Sequence, residues 1–367
     1  MELISDYLYA KASKNKVPLG GGIELTPVCN FRCRMCYVRK TPEQLAKEGR
    51  ALMPWQKWLE LAQQCKEAGT LYLLLTGGEP FLYPGFRELY TELHKMGFLL
   101  SVNTNASLID EETVAWLKQY APTRLNITLY GASRETYGKI CGNPDAFDKV
   151  VRAIHLLLEA GIPVVLNASM IPENADDMEK IMEFGRSLGL NTRIGTYMFP
   201  PLRRDREESD SRFTPEQAAK MFMRRSCVQF PPEALEEMLR KERQSRDQDD
   251  WGAQDEHMRC RAGRCSFWIS WEGKMSACGL LPFPLECDPF AEPFAECWQR
   301  LTERVRCAPV LRKCKNCHLR EICNPCAAMV YAESGDVNGK AEYLCRTAEC
   351  IEKEILAFLE DRDETKT

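Results

Sequence analysis

The sequence is poor in histidine, in excess charge and in long apolar runs. Four histidines, His94, His155, His257 and His318, are scattered through 367 residues, and none lies within twenty residues of the first cysteine cluster. The formal net charge is -4, which supplies no basic surface for nucleic acid or for an anionic membrane. No apolar stretch approaches the roughly 20 residues that a membrane span needs. The start, "MELISDYLYAKASKNKVPLGGG", has no basic segment followed by an apolar core, so it does not read as a signal peptide. Internal repeats and low-complexity tracts are also missing. The expectation is a cytoplasmic protein in a reducing compartment, where disulfides are rare.

Against these absences stand 18 cysteines. In a reducing compartment, clustered cysteines read as metal or cluster ligands. They are unevenly placed: Cys29, Cys33 and Cys36 fall within eight residues, and twelve more lie between Cys260 and Cys350. Between these groups come only Cys65, Cys141 and Cys227.

Residues 22–200 alternate short apolar runs with helical patterns. "GIELTP", "LYLLL", "FLLSVN", "RLNITLY", "PVVLNASM" and "NTRIGTYM" read as six strands. Helical spacing follows five of them, as at Trp55, Trp58, Leu59, Ala62 and Cys65, or over "AFDKVVRAIHLLLEAG" up to Gly161. Asn174 reads as the cap of the helix containing Met178, Ile181 and Met182. Six such units argue for parallel strands joined by helical crossovers. On pattern alone, an open partial barrel and a flat doubly wound sheet fit equally. After Met198 the chain turns polar, and "LRKERQSRDQDDWGAQDEHMR" is a mixed-charge run read as solvated helix or loop.

The C-x3-C-x2-C spacing at Cys29, Cys33 and Cys36 lets one loop wrap one face of a cubane cluster and leave the fourth iron open. Zinc is the alternative, but a structural zinc site needs four ligands. "TGGEP", Thr76 to Pro80, follows the second strand directly. Glycines there permit close backbone approach to a ligand, and ligands of parallel α/β folds bind at that end of the strands. A chance Gly-Gly turn is the plain alternative.

In combination, the cysteine triplet and GGEP resemble the radical SAM superfamily. That resemblance implies a 4Fe-4S cluster whose open iron binds S-adenosylmethionine, reductive cleavage to a 5'-deoxyadenosyl radical, and hydrogen abstraction from a substrate. It places Gly77, Gly78 and Glu79 at the methionyl amine, with Thr104, Asn105, Thr128 and Asn167 as further cofactor contacts. Two positions depart from the family pattern. Met35 stands where an aromatic residue is common, with Tyr37 just after the motif, and Ile140 stands where some relatives carry an arginine.

The cysteine-rich third resembles the SPASM domain, which carries two auxiliary 4Fe-4S clusters. The resemblance implies that Cys314, Cys317, Cys323 and Cys345 hold one cluster. Cys260, Cys278 and Cys326 would hold the other, with Cys265 as fourth ligand; Cys227 or an open iron are the alternatives. The last gap of "CKNCHLREICNPC" is one residue shorter than the family spacing. A pair of zinc ribbons is the other reading of this region. Cys65 reads as core and Cys350 as a spare or alternative ligand; Cys141, Cys287, Cys297 and Cys307 carry no assignment.

The implied fold is α/β: a partial (β/α)6 TIM-like barrel with a small C-terminal cysteine-rich iron–sulfur domain. The expected boundaries are 1–21 (N-terminal segment), 22–212 (radical SAM core), 213–257 (helical, charged linker), 258–350 (SPASM domain) and 351–367 (C-terminal helix and tail). The implied function is a radical SAM oxidoreductase acting on a peptide or protein side chain, as a maturase. The implied electron donor is a flavodoxin or ferredoxin. A small-molecule dehydrogenase or rearrangement enzyme is the alternative, and a non-catalytic metal-binding protein is the third. With 28 residues before Cys29, no leader-recognition domain is expected ahead of the core. Gly279 replaces the aspartate that sulfatase maturases carry after the Cys278 position, which argues against formylglycine formation.

Overall fold

The computed structural model describes residues 4–200, 211–248, 258, 260–281 and 286–364; His257 and part of the charged run lie outside them. Six parallel strands alternate with helices: β1 (Gly20–Thr26), β2 (Tyr72–Gly77), β3 (Leu99–Thr104), β4 (Arg124–Thr128), β5 (Val164–Ser169) and β6 (Asn191–Gly195). Each pairs in parallel with the next, giving an open six-stranded array instead of a closed ring. This is the partial barrel.

The strands alternate more strictly than their sequences suggest. Leu73, Leu75, Leu100, Val102, Leu125, Ile127, Leu166 and Ala168 are buried in the main apolar core. Burying each of the larger ones contributes about 1.5–3 kcal/mol. The intervening positions Thr76, Asn103, Thr128 and Ser169 line a cavity instead. Asn126 shares that inner face, where its amide donates to Asn103 Oδ1 at 2.9 Å. Strand residues two apart share a face, so the inside of the barrel is polar while the outside is greasy.

The crossover helices include Trp55–Glu67, Phe86–Lys95, Glu111–Gln119, Ala146–Glu159 and Met178–Ser187. Asp110 caps the third, accepting from Thr113 N at 2.9 Å. The cap expected at Asn174 differs. Asn174 sits inside a 3-10 turn, Pro172–Asp177, that precedes the helix. It is buried and binds three backbone groups: it accepts from Ile171 N at 2.8 Å and donates to Tyr130 O at 2.9 Å and Ser169 O at 3.1 Å. It therefore ties the ends of β4 and β5 together. A short helix, Arg134–Cys141, was not evident from the sequence pattern; Ser133 caps it.

The cysteine-rich region does not fold apart from this sheet. Its strand β7 (Ser266–Ile269) pairs in parallel with β1, Gly20 opposite Ser266 through Ile23 opposite Ile269. β8 (Met275–Ser276) then pairs antiparallel with β7. The eight strands run in the order β6-β5-β4-β3-β2-β1-β7-β8. Gly21 and Gly22 leave room for the rings of Phe267 and Trp268, which an added Cβ would strike at 2.3 Å. Helices Pro215–Gln229, Pro232–Gln248 and Glu342–Glu364 share a satellite core of Ala219, Met223, Leu235, Leu239, Ile351, Ile355 and Leu359. The last helix carries Cys345 in its first turn and runs unbroken through position 350.

Candidate active site and cysteine clusters

The loop after β1 is held from both sides. Gly78 N donates to Thr26 O at 2.6 Å and Glu79 N to Val28 O at 2.9 Å. Gly77 adopts φ +141, and a Cβ there would lie 2.3 Å from Thr26 O; at Gly78 it would lie 2.3 Å from Val28 O. The two glycines are thus required first for the approach of β2 to the cysteine loop. On the other side, Arg32 N donates to Cys141 O at 2.8 Å and Arg34 N to Ile140 O at 3.3 Å. Phe31, fully buried, anchors the loop edge-on against Tyr130 and Tyr137.

Cys29, Cys33 and Cys36 line one cavity of about 390 Å³ at the C-terminal ends of the strands. Gly77, Gly78, Thr104, Asn105 and Thr128 share its wall, as do Met35 and Tyr37. Asn167, on β5, and Glu79 lie outside that wall. Residues that sequence reasoning missed are Asn103, Tyr130, Ser169, Tyr197 and Phe199, which also line it. Asn103 and Ser169 are single polar residues inside apolar strand runs, a weak signal; Tyr197 and Phe199 follow β6 with no motif around them. Ile140 is fully buried, so this position offers the cavity nothing in place of an arginine.

Glu79 is completely buried. Its Oε1 accepts from Thr104 Oγ1 at 2.8 Å and Phe81 N at 3.2 Å, and its Oε2 from Asn105 N at 2.8 Å. The carboxylate is therefore engaged in pinning the β3 turn that presents Thr104 and Asn105. Burial pushes its pKa up to about 7, while the three donors oppose the shift. Asn105 reaches onward, its Nδ2 donating to Asn30 Oδ1 at 2.9 Å and lying 3.7 Å from Cys29 Sγ.

Burial likewise pushes the Cys29 thiol up to about 12. A hydrogen bond with Cys141 and burial hold Cys33 well above the usual thiol range. Three sulfur donors on one wall, with the Cys29 and Cys33 thiols raised by their surroundings, are a soft donor set that a bound cationic centre would deprotonate. The residues fit a three-thiolate cluster.

Two further groups form in the C-terminal third. Cys314, Cys317, Cys323 and Cys345 line a cavity of about 280 Å³, with the exposed His318 also on its wall. Burial, then Cys314, Cys345 and Cys317, push Cys323 up to about 12. Burial raises Cys278 and Cys326, and Cys260 raises both further, so these three sulfurs share a second locality. Asn324, at φ +41, turns the chain between Cys323 and Cys326. This left-handed residue lets a two-residue gap send its flanking cysteines to different groups. Cys265 is buried in an apolar cluster with Ala12 and Leu19; burial raises its pKa and Cys260 adds to the shift. Cys227 is exposed on the helix Pro215–Gln229.

Residues 23–185 match the model of the radical SAM superfamily. The chain carries a radical SAM domain. It is a radical SAM enzyme with a C-terminal cysteine-rich domain, and S-adenosylmethionine and 4Fe-4S chemistry are its cofactor set. Over 326 residues it is 25% identical to an AdoMet-dependent heme synthase of Methanosarcina barkeri, covering 85% of this chain and 92% of that one. A probable GTP 3',8-cyclase of Saccharolobus islandicus is 34% identical over 172 residues, 46% of this chain and 53% of the relative, so the likeness spans about half of that protein. Among solved structures, SuiB of Streptococcus suis bound to precursor peptide SuiA aligns with TM-score 0.67 at 17% identity, over 93% of this chain and 80% of that one. Native anSMEcpe with bound AdoMet aligns with TM-score 0.68 at 16% identity, over 95% and 100%. These two likenesses concern the fold. Among the described residues, no helix is long and apolar enough to cross a membrane.

Proposed function

We propose that this radical SAM enzyme abstracts a hydrogen atom from a side chain of a peptide or protein. Cys29, Cys33 and Cys36 would hold a 4Fe-4S cluster, and the polar inner face at Thr104, Asn105 and Thr128 would orient S-adenosylmethionine beside it. The backbone at Gly77 and Gly78 would accept from the methionyl amine, with Glu79 fixing the neighbouring turn from behind. When bound, the pair supplies one-electron cleavage of the sulfonium and a carbon radical that takes hydrogen from the substrate. Tyr130 and Phe31 shield the cysteine side of the cavity from water, which limits quenching.

Cys314, Cys317, Cys323 and Cys345 would hold one auxiliary cluster. Cys260, Cys278 and Cys326 would hold the other, with Cys265 completing it after rotation out of its apolar nest. Residues 22–212 would form the radical core and 258–350 the SPASM domain. Flavodoxin or ferredoxin is the proposed electron donor.

The observation that carries the peptide reading is a second cavity of about 310 Å³ along the β7–β8 hairpin. Leu280 lines both cavities, and Cys278, Glu272 and Lys274 line the second. An extended substrate could lie across Leu280, with its reacting carbon in the first cavity and its remainder on the polar hairpin. An added Cβ at Gly279 would meet the Trp268 ring at 2.5 Å, so this hairpin has no space for the aspartate of a sulfatase maturase.

A small-molecule substrate is the second reading, favoured by the likeness to a heme synthase along nearly its whole length. Deuterium transfer tests the two. Incubating reconstituted enzyme with deuterated candidate peptides should place label in 5'-deoxyadenosine. Label arriving only from a tetrapyrrole or another small molecule would overturn the peptide reading.

A further inference from the structure

Three donors outside every group described so far converge at the edge of the hairpin. Cys287 Sγ, Cys297 Sγ and a Glu292 carboxylate oxygen all lie within 4.8 Å of one another. Cys287 and Cys297 are buried, at 4% and 0% exposure, among Phe294, Trp298 and Leu301. Glu292 is about one-third exposed, its side chain at 32%, and its carboxylate pairs with Arg300 at 2.5 Å. Arg300 also hydrogen-bonds Cys287.

We propose that Cys287, Glu292 and Cys297 bind one zinc ion, a site separate from the iron–sulfur clusters. Two thiolates and a carboxylate are donors zinc commonly takes, with bonds of about 2.3 Å to sulfur and 2.0–2.2 Å to oxygen. A tetrahedron with those bonds sets its donors about 3.5–4 Å apart, inside the 4.8 Å that bounds the three donors here. Charge also balances. Two thiolates and a carboxylate bring three negative charges to a divalent ion, and the Arg300 guanidinium offsets the one left over. Ligating carboxylates usually carry such a second hydrogen-bond partner. The exposed flank of Glu292 gives the ion its entrance and admits a water as fourth ligand.

The placement gives the ion a structural task. Cys287 exchanges both backbone hydrogen bonds with Met275 of β8, at 2.8 and 3.0 Å. Cys297 stands in the first turns of the helix Phe294–Cys307. Zinc would tie that helix to the hairpin strand, three residues before Cys278. The likeness to radical SAM enzymes is not needed for this inference.

The test is metal analysis of the full chain with its iron sites reconstituted, so that cluster cysteines are occupied, then washed with a chelator. Mass spectrometry of metals should find about one zinc per chain, and zinc-edge X-ray absorption should find about two sulfur and two oxygen neighbours. Cys297→Ser should remove the zinc. Glu292→Gln, at a partly exposed position that leaves the core intact, should weaken zinc retention against a competing chelator at least ten-fold. Cys314→Ala should leave the zinc in place while iron falls. Zinc absent from washed wild-type protein, zinc lost with Cys314→Ala, zinc unaffected by Glu292→Gln, or a Cys287–Cys297 disulfide in the peptide map would each overturn the proposal.

Discussion

Glu79 shows how a motif residue acts from behind a cavity wall. Its burial raises the carboxyl pKa to about 7, above the unfolded value. A group with a raised folded pKa binds more protons folded than unfolded between those two values. Its stabilising contribution is therefore complete below about pH 4.5 and is lost as pH rises through about 7. The loss is on the order of 3 kcal/mol. Denaturation measured across this range should fall for wild type and be flatter for Glu79→Gln. That variant should also be less stable at low pH, because its amide N–H faces the Asn105 N–H or the Thr104 hydroxyl. A slope equal to wild type would show that Glu79 does not titrate there. Gly78 allows a simpler test. Gly78→Ala forces a Cβ against the Val28 carbonyl, and backbone yields little, so a destabilisation of a few kcal/mol is expected. Chemical denaturation and iron content should fall together.

At the scale of elements, the cysteine loops are aimed by short devices, not long helices. Asn324 is the clearest. Asn tolerates the left-handed region, glycine prefers it, and β-branched residues resist it. Asn324→Gly should keep full iron loading, whereas Asn324→Val should lose iron from the groups on both sides; equal loading in the two would mean the turn does not matter. The strands themselves were legible to within two residues, except the end of β6, which stops at Gly195, three residues before the end of the run read for it, since apolar runs and glycine stops are local properties. Their inner faces were less so: Asn103, Asn126 and Ser169 sit in runs that read as nearly continuous apolar segments. Asn174 was misplaced because its side chain serves Tyr130 and Ser169, contacts the local pattern does not contain. The helix Arg134–Cys141 escaped notice for a similar reason: its buried residues, Tyr137, Ile140 and Cys141, are too few to show a period.

At the scale of the molecule, the proposed cysteine groups would divide the iron between regions. Three cubanes would give about twelve irons per chain. Replacing Cys29, Cys33 and Cys36 with alanine should leave about eight and abolish production of 5'-deoxyadenosine. A fall to none would mean the groups do not load independently. The C-x2-C and C-x3-C spacings are local, and they bring Cys29, Cys33 and Cys36 to one cavity wall and Cys314, Cys317 and Cys323 to another. The sheet that joins the two regions was not. β1 and β7 are some 240 residues apart, and nothing in "SFWI" names its partner. In hindsight the hint lay in "GGG", Gly20 to Gly22, a run with no side chains in a buried strand.

That pairing also decides what happens if the chain is cut short. A fragment ending after β6 would leave one side of β1 with bare amides and carbonyls, on a glycine-rich strand with little bulk to shield them. Such an edge is a template for other chains. The C-terminal third thus acts as a cover, whatever its cysteines hold, and a radical core expressed without it should self-associate, even with its own three cysteines intact.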